Sequence, residues 1–400
     1  MNRPLGRKPS LVLDTEAGLA TGGEAVARHP DGRVIFVRGA APEERVRVRV
    51  VEDRRRFLRA EVEEVLRPGP TRVEPSCPVA ARCGGCGLLH LSREGELQGK
   101  VGAGLETLRR VGRVDPDLLA AVPLWSGAEE SVRIRARLAV QGTRVGFRAA
   151  RSHEVIPVDR CRALHPVLDE ARRALADTLA ASTAGSAGEA WLVTNGRQVS
   201  GEVDPRGALE LPASILEQED LEIVDRGGRL WLHPRVFAQA SAEGNDALLA
   251  AVEAALPDRG RLAVELHAGS GNFTRLLASR FERVVAVELS EAAVRRGRRA
   301  APEAEWRVGT DAEGWREDGP DLLLVDPPRS GLSPEARGAI ARARPENVLY
   351  VSCDVGTLAR DLLEFSRLGV VVAGLQAFDL YPRTPHLEWL AALRRGDGEV

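Results

Sequence analysis

The chain lacks any apolar run of about 18 residues, the length that a helix needs to cross a bilayer. It also lacks an apolar signal core near its start, because MNRPLGRKPS is followed by acidic residues. These absences argue against a membrane or secreted protein, so we expect a globular protein of the cytoplasm. With 400 residues and 44% hydrophobic content, the chain can fill two or three domain cores.

Net charge is also scarce, at −2 for the whole chain. Binding to nucleic acid would therefore depend on local basic surface rather than on the charge of the whole molecule. Lys8 and Lys100 are the only lysines, so arginine supplies nearly all of the positive charge. Eight arginines lie between Ser131 and His165 with only two acidic residues, a cluster that suits phosphate contacts but also fits a solvated arginine-rich face.

Cysteine is sparse and odd in number, with five residues at Cys77, Cys83, Cys86, Cys161 and Cys353. The first three lie close together, whereas Cys353 stands alone near the end of the chain. An odd number of cysteines in a chain without a predicted leader disfavours a framework of disulfides. It favours metal binding or catalysis instead.

The N-terminal part alternates between apolar and polar residues from about Gly22 to Leu66, most clearly where valines alternate with arginines over residues 45–50. A period of two residues is typical of half-buried strands and predicts a small β-barrel. A Pro-Gly-Pro linker follows at residues 68–70. We expect a barrel domain over 1–70, a mixed α/β domain over 71–235, in which 92–122 can pack on the last domain, and a third domain over 236–400.

Apolar strands alternate with helical segments after residue 236, at Leu262–Leu266, Val284–Val287, Leu322–Val325 and Val348–Val351. This alternation predicts an α/β fold with a parallel, doubly wound sheet. In the segment before it, the pattern predicts a helix over Ser92–Val111 and strands over Val132–Val140 and Glu189–Thr194.

A glycine turn follows the first of these strands, in the segment Glu265 to Thr274, which reads ELHAGSGNFT. Glycines there let the backbone approach a ligand at the carboxyl end of the strand. Thr274 stands where a dinucleotide fingerprint has its third glycine, which disfavours a cofactor with a pyrophosphate. Glu288 ends the second strand, where a carboxylate can accept hydrogen bonds from ribose hydroxyls or can be a plain surface charge.

The third and fourth strands end in residues that suit chemistry. The segment Asp326 to Arg329, DPPR, predicts a stiff loop that begins with an acid, because proline fixes φ. Cys353 follows the fourth strand at the same edge of the sheet, where ligands bind in open α/β sheets. A cysteine in that place is otherwise an inert apolar filler.

Together these segments resemble the RNA uracil-5-methyltransferase family, whose motifs read F-x-Q, D-L-x-C-G-x-G-N-F-T, D-P-P-R-x-G, S-C-N-P and D-x-F-P-x-T-x-H-x-E. The chain matches them in order at 237–239, 265–274, 326–331, 352–355 and 379–388. It departs from them at His267, Ala268, Asp354 and Val355, and Ser241 replaces the asparagine that follows F-x-Q. The N-terminal barrel is similar to the TRAM RNA-binding module, and the cysteine cluster resembles that of the iron-sulfur branch, which is similar to the 23S rRNA enzymes.

The resemblance implies a Rossmann-like S-adenosylmethionine-dependent methyltransferase domain, an N-terminal OB-like β-barrel and a mixed α/β central domain. It implies that Cys353 adds to C6 of a uridine and that Glu388 removes the C5 proton. RNA would be the partner of a protein that we expect to be a monomer, with ribosomal RNA favoured and transfer RNA an alternative. The residues implied in binding S-adenosylmethionine are Gln239, His267, Asn272, Glu288, Asp311 and Asp326. Asp354 is expected to raise the pKa of the neighbouring thiol unless it points away or is paired.

The resemblance also implies that Cys77, Cys83, Cys86 and Cys161 hold a structural [4Fe-4S] cluster. Zinc is the alternative, although it usually takes two short cysteine pairs, whereas three clustered thiolates and a distant fourth favour iron-sulfur. Two other functions stay open. One is an amino-group methyltransferase acting on a base of RNA or DNA, for which Cys353 would be idle, and the other is a catalytically silent RNA-binding protein.

Overall fold

The computed structural model describes residues 10–181, 186–207 and 209–396. The chain forms two compact units. The first contains the described residues up to Thr107 together with Arg383–His386, and the second contains Leu108–Pro382 and the residues from Leu387 onward. None of the helices in the described ranges is both long enough and apolar enough to cross a membrane.

A closed five-stranded barrel, in the order β1-β2-β3-β5-β4, begins the first unit. Its strands are β1 Leu11–Leu19, β2 Ala25–Arg28, β3 Val34–Arg38, β4 Arg45–Asp53 and β5 Phe57–Arg67. The predicted alternation is confirmed, because the valines of β4 are buried and its arginines face outward. Each of Arg45, Arg47 and Arg49 pairs with an acid of a neighbouring strand. The barrel begins before the predicted Gly22, since β1 pairs with both β2 and β4 and thereby closes it.

Loops and one helix complete the first unit. The helix α1, Arg93–Arg110, agrees with the prediction from the sequence to within one residue at each end, and its last residues belong to the second unit. Glu96 of α1 is buried and accepts a hydrogen bond from the Lys100 ammonium at 3.2 Å. It also accepts the backbone N–H of Arg383 at 2.7 Å, which holds the Arg383–His386 segment in this unit.

A six-stranded sheet, in the order β12-β11-β10-β7-β8-β9, forms one part of the second unit. The elements of this region are α2 Pro116–Ala120, β6 Leu124–Ser126, β7 Arg135–Gly142, β8 Arg144–Arg148, β9 Val155–Pro157, α3 Pro166–Ala180, β10 Ser186–Thr194, β11 Val199–Asp204 and β12 Ile215–Glu217. The apolar face of α3 packs on one side of this sheet in a shared core. A separate two-stranded hairpin follows, formed by β13 Leu221–Asp225 and β14 Gly228–Leu232.

An eight-stranded sheet, in the order β17-β16-β15-β18-β19-β21-β20-β6, forms the rest of the second unit. Its elements beyond β6 are α4 Ala242–Ala255, β15 Gly260–Leu266, α5 Thr274–Ala278, β16 Phe281–Glu288, α6 Glu291–Ala300, β17 Glu305–Val308, β18 Leu322–Val325, α7 Pro334–Ala343, β19 Asn347–Ser352, α8 Val355–Arg367, β20 Val370–Asp379 and β21 Glu388–Arg395. The strands from β17 to β19 are parallel, as the sequence predicts. β21 is antiparallel to both β19 and β20, so the sheet is mixed.

Side-chain caps set where the helices of this sheet begin. Ser241, Ser290 and Ser333 each accept the backbone N–H three residues later, at the start of α4, α6 and α7. Such caps satisfy donors that the first turn of a helix leaves unpaired. Only α6 starts close to the end of a strand, since loops of eight residues (326–333) and nine residues (233–241) precede α7 and α4.

Candidate active site

A left-handed turn joins β15 to α5 at the carboxyl edge of the large sheet. His267, Gly269 and Gly271 have positive φ values of 62°, 56° and 93°. A Cβ at Gly271 would also come within 3.3 Å of the Trp306 ring, so glycine is needed there for both conformation and space. A Cβ at Gly269 would meet no atom within 4 Å. The backbone of the turn is therefore accessible to a ligand.

Glu288 ends β16 and supports this turn. One of its carboxylate oxygens accepts the N–H of Gly269 at 3.0 Å, and the other accepts the N–H of Ser290 at 2.8 Å. Each oxygen keeps a lone pair for a further donor. Leu289 and Val308 follow at neighbouring strand ends, and they are 69% and 50% exposed. Apolar surface thus lies next to a carboxylate that can accept more hydrogen bonds.

A cavity that opens to solvent lies beside the glycine turn, and its empty space, which includes part of the open solvent, is about 680 Å³. Four of the six residues predicted to bind the methyl donor line it, namely Gln239, His267, Asn272 and Asp326. Glu288 and Asp311 are not part of the lining. The hairpin forms another side of the cavity with Ile223, Asp225, Leu230, Trp231 and Leu232, which sequence reasoning missed because the hairpin carries no recognisable motif.

Gln239 contributes an acceptor without a partner. Its side chain is only 7% exposed, and its Oε1 finds no hydrogen-bond donor within the described residues. An unsatisfied buried polar atom costs about 1–3 kcal/mol. The atom therefore fits a ligand that brings a hydrogen-bond donor into the cavity.

The amide of Asn272 is largely occupied by protein partners. It forms a reciprocal pair with the Asn245 amide of α4, with N···O distances of 2.8 and 3.0 Å. Arg275 Nη2 donates to the same Asn272 oxygen at 3.3 Å. One N–H of Asn272 is left for a ligand, so this side chain holds the turn in shape as well as facing the cavity.

Asp311 lies after β17 and binds residues of two other loops. Its carboxylate accepts the N–H and the hydroxyl of Ser333 at 3.2 and 3.1 Å, and His267 Nε2 lies 3.4 Å from one of its oxygens. Burial acts to raise the pKa of Asp311, but the contacts with His267 and Ser333 outweigh it and hold that pKa below its usual range. The Asp311 carboxylate therefore lies beside the imidazole that lines the cavity.

A second group of side chains collects where β18, β19 and β21 end or begin. In the antiparallel register of β19 with β21, Ser352 pairs with Trp389, so the next position sets Cys353 opposite Glu388. Asp326 and Arg329 follow β18, the neighbour of β19 on the other side. Glu388 is buried and Cys353 half-buried. A thiol, two carboxyls and a guanidinium are therefore brought together at one edge of the sheet.

These groups shift one another's ionisation. Burial raises the pKa of the Cys353 thiol to about 11, the negative charges of Glu388 and Asp326 add to the rise, and Arg329, which hydrogen-bonds to the thiol, opposes it. Burial, reinforced by Asp326, also raises the pKa of Glu388 well above its usual range. The pKa of Asp326 is raised by burial, although the nearby His267 opposes the rise. The site is thus poised to hold protons near neutral pH.

Asp354 acts as the N-cap of α8. Its carboxylate accepts the N–H of Thr357 at 2.9 Å, and it is not among the charged groups that raise the pKa of Cys353. Aspartate caps a helix as well as the asparagine of the family motif does, and Val355 then occupies the first helical position. The substitution is therefore compatible with a reactive thiol.

Buried Asp361 of α8 holds the loop that carries Arg329. Its carboxylate accepts hydrogen bonds from the Tyr350 hydroxyl at 2.7 Å and from the N–H of Leu332 at 3.1 Å. Arg337 and Arg360 also pair with it and donate to carbonyls of residues 330–332. No motif marked Asp361, because its partners are spread over thirty residues of sequence and meet only in the fold.

The four cysteines that were predicted to hold a cluster are half-buried, and none of them forms a disulfide. Cys77, Cys83 and Cys86 lie in loops of the first unit, where Cys83 Sγ accepts the N–H of Gly85 at 3.4 Å, and Cys161 belongs to the second unit. Within the described ranges, no three Cys, His, Asp or Glu side chains are grouped as metal ligands would be. The residue types suit a cluster, but the described arrangement does not form an assembled metal site.

Family models match two parts of the chain. A TRAM domain model matches residues 15–62, and a model of tRNA (uracil-5-)-methyltransferases matches residues 209–303 and 320–395. Among curated proteins, the 23S rRNA (uracil(1939)-C(5))-methyltransferase RlmD of Alkalilimnicola ehrlichii is 33% identical, and the match covers 98% of each chain. The protein of the same name from Halomonas elongata is 34% identical over 95% of this chain and 89% of its own length.

A solved structure has the same fold. It is the tRNA (uracil-54, C5)-methyltransferase of Pyrococcus abyssi in complex with S-adenosyl-L-homocysteine, with a TM-score of 0.74 and 22% identity. The match covers 95% of this chain and 100% of that one. The predicted fold class, an N-terminal barrel with a methyltransferase-type α/β domain, is therefore confirmed.

Proposed function

The chain belongs to the family of RNA uracil-5-methyltransferases, which use S-adenosylmethionine, and from this premise we propose that it methylates a uridine of ribosomal RNA by covalent catalysis. In this proposal Cys353 is the nucleophile and Glu388 the base. The main support is the register of β19 with β21, which sets these two side chains opposite each other. Arg329 and Asp326 lie close enough to both to change their pKa values.

Uracil C5 is a weak nucleophile, and covalent catalysis overcomes this weakness. The Cys353 thiolate forms a bond to C6, and the π electrons of the C5–C6 double bond move to give an enolate with carbanion character at C5. Because the pKa of the thiol is about 11, few molecules carry a thiolate at neutral pH, and Arg329 is the neighbouring cation that favours the ionised form.

Completion of the reaction requires a proton acceptor. Bound S-adenosylmethionine would supply an electrophilic methyl group on a sulfonium and leave as neutral S-adenosylhomocysteine. Glu388 then takes the C5 proton, the electrons of that C–H bond restore the double bond, and the bond from Cys353 to C6 breaks. Glu388 accepts the proton in its ionised form, and its raised pKa makes that carboxylate a stronger base than an ordinary one.

The cavity suits the methyl donor. Gln239 offers a buried oxygen without a partner to an ammonium, and Glu288 offers two oxygens with free lone pairs to ribose hydroxyls. Leu289 and Val308 provide apolar surface next to Glu288 for an adenine ring. His267 and Asp326 line the cavity between this region and Cys353, and Asp311 acts through His267.

The choice of ribosomal RNA rests on the names of the relatives, since those of Alkalilimnicola ehrlichii and Halomonas elongata are both named for 23S rRNA. The arginines of residues 131–165 would bind phosphates and so supply affinity without reading sequence. Exposed Arg144 and Arg160 suit this role, because neither has an ion-pair partner among the residues that the structure describes. Their positions in loops and at a strand start leave them free to reach a backbone.

The mechanism is tested with RNA that contains 5-fluorouridine, whose C5 substituent cannot be removed by a base. The wild type with S-adenosylmethionine should form an adduct that survives denaturing electrophoresis, and Cys353→Ala should not. An adduct that persists in Cys353→Ala would contradict the mechanism. An amino-group methyltransferase or a silent RNA-binding protein would form no adduct at all. Mapping of methylated uridines in ribosomal and transfer RNA, from cells with and without the gene, then identifies the substrate.

We also propose that Cys77, Cys83, Cys86 and Cys161 bind a [4Fe-4S] cluster with a structural role, supported by their spacing and by half-buried thiols that form no disulfide. Nothing in the reaction proposed above uses it. Protein purified without oxygen should contain about four iron atoms and four acid-labile sulfides per chain. Cys86→Ser should lose them, whereas Cys353→Ser should retain them. Stoichiometric zinc in place of iron would contradict this assignment.

A further inference from the structure

Arg275, in the first turn of α5, is a buried arginine whose five N–H groups are all in use. Its guanidinium is 2% exposed and grips the Asp225 carboxylate with two bonds of 2.7 and 3.1 Å. It donates to the carbonyl of Gly228 at 2.7 Å and to that of Gly271 at 3.1 Å. Its remaining contacts, at 3.3 Å, go to the backbone and side-chain oxygens of Asn272.

These contacts join two separate parts of the cavity. Asp225 and Gly228 lie at the turn of the hairpin, whereas Gly271 and Asn272 lie in the glycine turn. The hairpin forms a sheet of only two strands among the described residues, so no backbone ladder ties its turn to the large sheet. Its base packs on the six-stranded sheet through an apolar cluster. At its turn Arg226 bonds to Asp246 and Glu253 of α4, and the side chain of Arg275 links the turn to the glycine turn.

Asp225 also bonds to the pair of side-chain amides formed by Asn245 and Asn272. One of its oxygens accepts the N–H of Gly227 at 2.9 Å, and the other accepts Asn245 Nδ2 at 3.2 Å. Asn245 in turn holds the Asn272 amide. Loss of either charged partner would leave the other charge buried without compensation, which a packed interior does not tolerate.

We infer that Arg275 and Asp225 are positioning residues that set the distance between the hairpin and the glycine turn, and thereby the affinity for the methyl donor. The inference rests on the donor site proposed for this cavity. Arg275 acts through the cavity lining, to which Asp225 itself belongs, because binding affinity depends on how far the lining is held in place before the ligand arrives. Neither is expected to take part in the chemistry at Cys353.

The test measures the dissociation constant of S-adenosylhomocysteine by titration calorimetry, without RNA. Arg275→Lys keeps the charge but loses the planar fork, and Asp225→Asn keeps the shape but loses the charge. Both should raise the dissociation constant about tenfold, which corresponds to about 1.4 kcal/mol. Turnover with RNA should show a similar rise in KM for S-adenosylmethionine, with kcat at saturating donor changed by less than about twofold.

A third variant, which leaves both charged residues in place, tests the inference if either of these substitutions prevents folding. A Cβ at Gly227 would lie 2.9 Å from Arg275 Cζ, so Gly227→Ala should displace the guanidinium and raise the same dissociation constant in a folded protein. The matched control is Arg172→Lys, because Arg172 is equally buried and pairs with Asp169 on α3 at 2.7 Å, away from the cavity lining. It should lower Tm without changing the affinity.

Two results would overturn the inference, and they differ in what they imply for the proposed donor site. If the wild type binds S-adenosylhomocysteine and all three cavity variants bind it as tightly, the positioning role is wrong while the proposed donor site stands. If the wild type itself does not bind S-adenosylhomocysteine, the proposed donor site is wrong and the inference falls with it.

Discussion

Replacement of Glu388 by glutamine should speed the first chemical step and block the last. After burial, the ionised carboxylate is the largest cause of the raised pKa of Cys353. Glutamine removes that charge with little change in shape, so the thiolate becomes more abundant. Glutamine cannot accept the C5 proton, so the covalent intermediate should form and then persist.

The size of the first effect is bounded by the structure. The pKa of Cys353 is about 11, against an ordinary value of 9.0. At pH 8 about one thiol in a thousand is therefore ionised, and removal of the entire shift would increase that fraction at most about a hundredfold. Burial is the largest cause and remains in the variant, so the increase must be smaller. The difference in thiolate fraction between the variant and the wild type should vanish at a pH low enough to protonate Glu388 in the wild type, since a neutral carboxyl carries no charge.

The assay uses two RNA substrates in single-turnover experiments. With 5-fluorouridine RNA, the rate of adduct formation is followed by denaturing electrophoresis from pH 6 to pH 9. With ordinary uridine RNA, Glu388→Gln should accumulate an adduct that carries one methyl group by mass spectrometry, whereas the wild type should not. Steady-state turnover should fall by about a factor of 10²–10⁴, the usual contribution of a general base.

Asp354→Asn is the matched control, since it also converts an acid beside Cys353 into an amide. Asparagine caps a helix as well as aspartate does, and Asp354 is not among the main causes of the raised thiol pKa, so adduct formation should stay within about twofold of the wild type. Slower adduct formation in Glu388→Gln than in the control, with no adduct on uridine RNA, would refute the assignment of Glu388 and the electrostatic reasoning behind it.

Three further predictions concern the cavity, the loop and the RNA surface. Gln239→Leu should weaken S-adenosylhomocysteine binding about tenfold in calorimetry. The Tm of the free protein should stay unchanged or rise, because the buried oxygen that is removed has no partner among the described residues. A lower Tm would contradict this prediction. Asp361→Asn should lower the free energy of unfolding in urea by about 3 kcal/mol, since it leaves Arg337 with no carboxylate partner. Arg160→Ala should weaken binding to RNAs of every sequence alike, and it should reduce by about 1 the slope of the logarithm of the binding constant against the logarithm of the salt concentration. The control Arg47→Ala removes an arginine already paired with Glu64 and should change this slope less.

The alternation of hydrophobic and polar residues determined much of the fold. β15, β16, β18 and β19 were predictable because parallel strands buried on both faces read as continuous apolar runs, and the barrel because its valines alternate with arginines. β17, which reads EWRV, has no such run. β21 was not predictable in this way. Its sequence, EWLAALRR, is rich in helix-forming residues and becomes a strand only because β19 and β20 pair with it on both sides.

The candidate site likewise contains features that the sequence predicts and contacts that only the fold decides. The sequence by itself determined the glycine turn, the acids at the strand ends and the isolated Cys353, since each depends on residues adjacent in the chain. The tertiary structure decided which distant groups meet, such as Glu388 with Cys353 through an antiparallel register and Arg275 with Asp225 across fifty positions. Local patterns record the conformation of a segment. The partner of a buried charge depends on chain packing that brings remote segments together, and no local pattern contains that information.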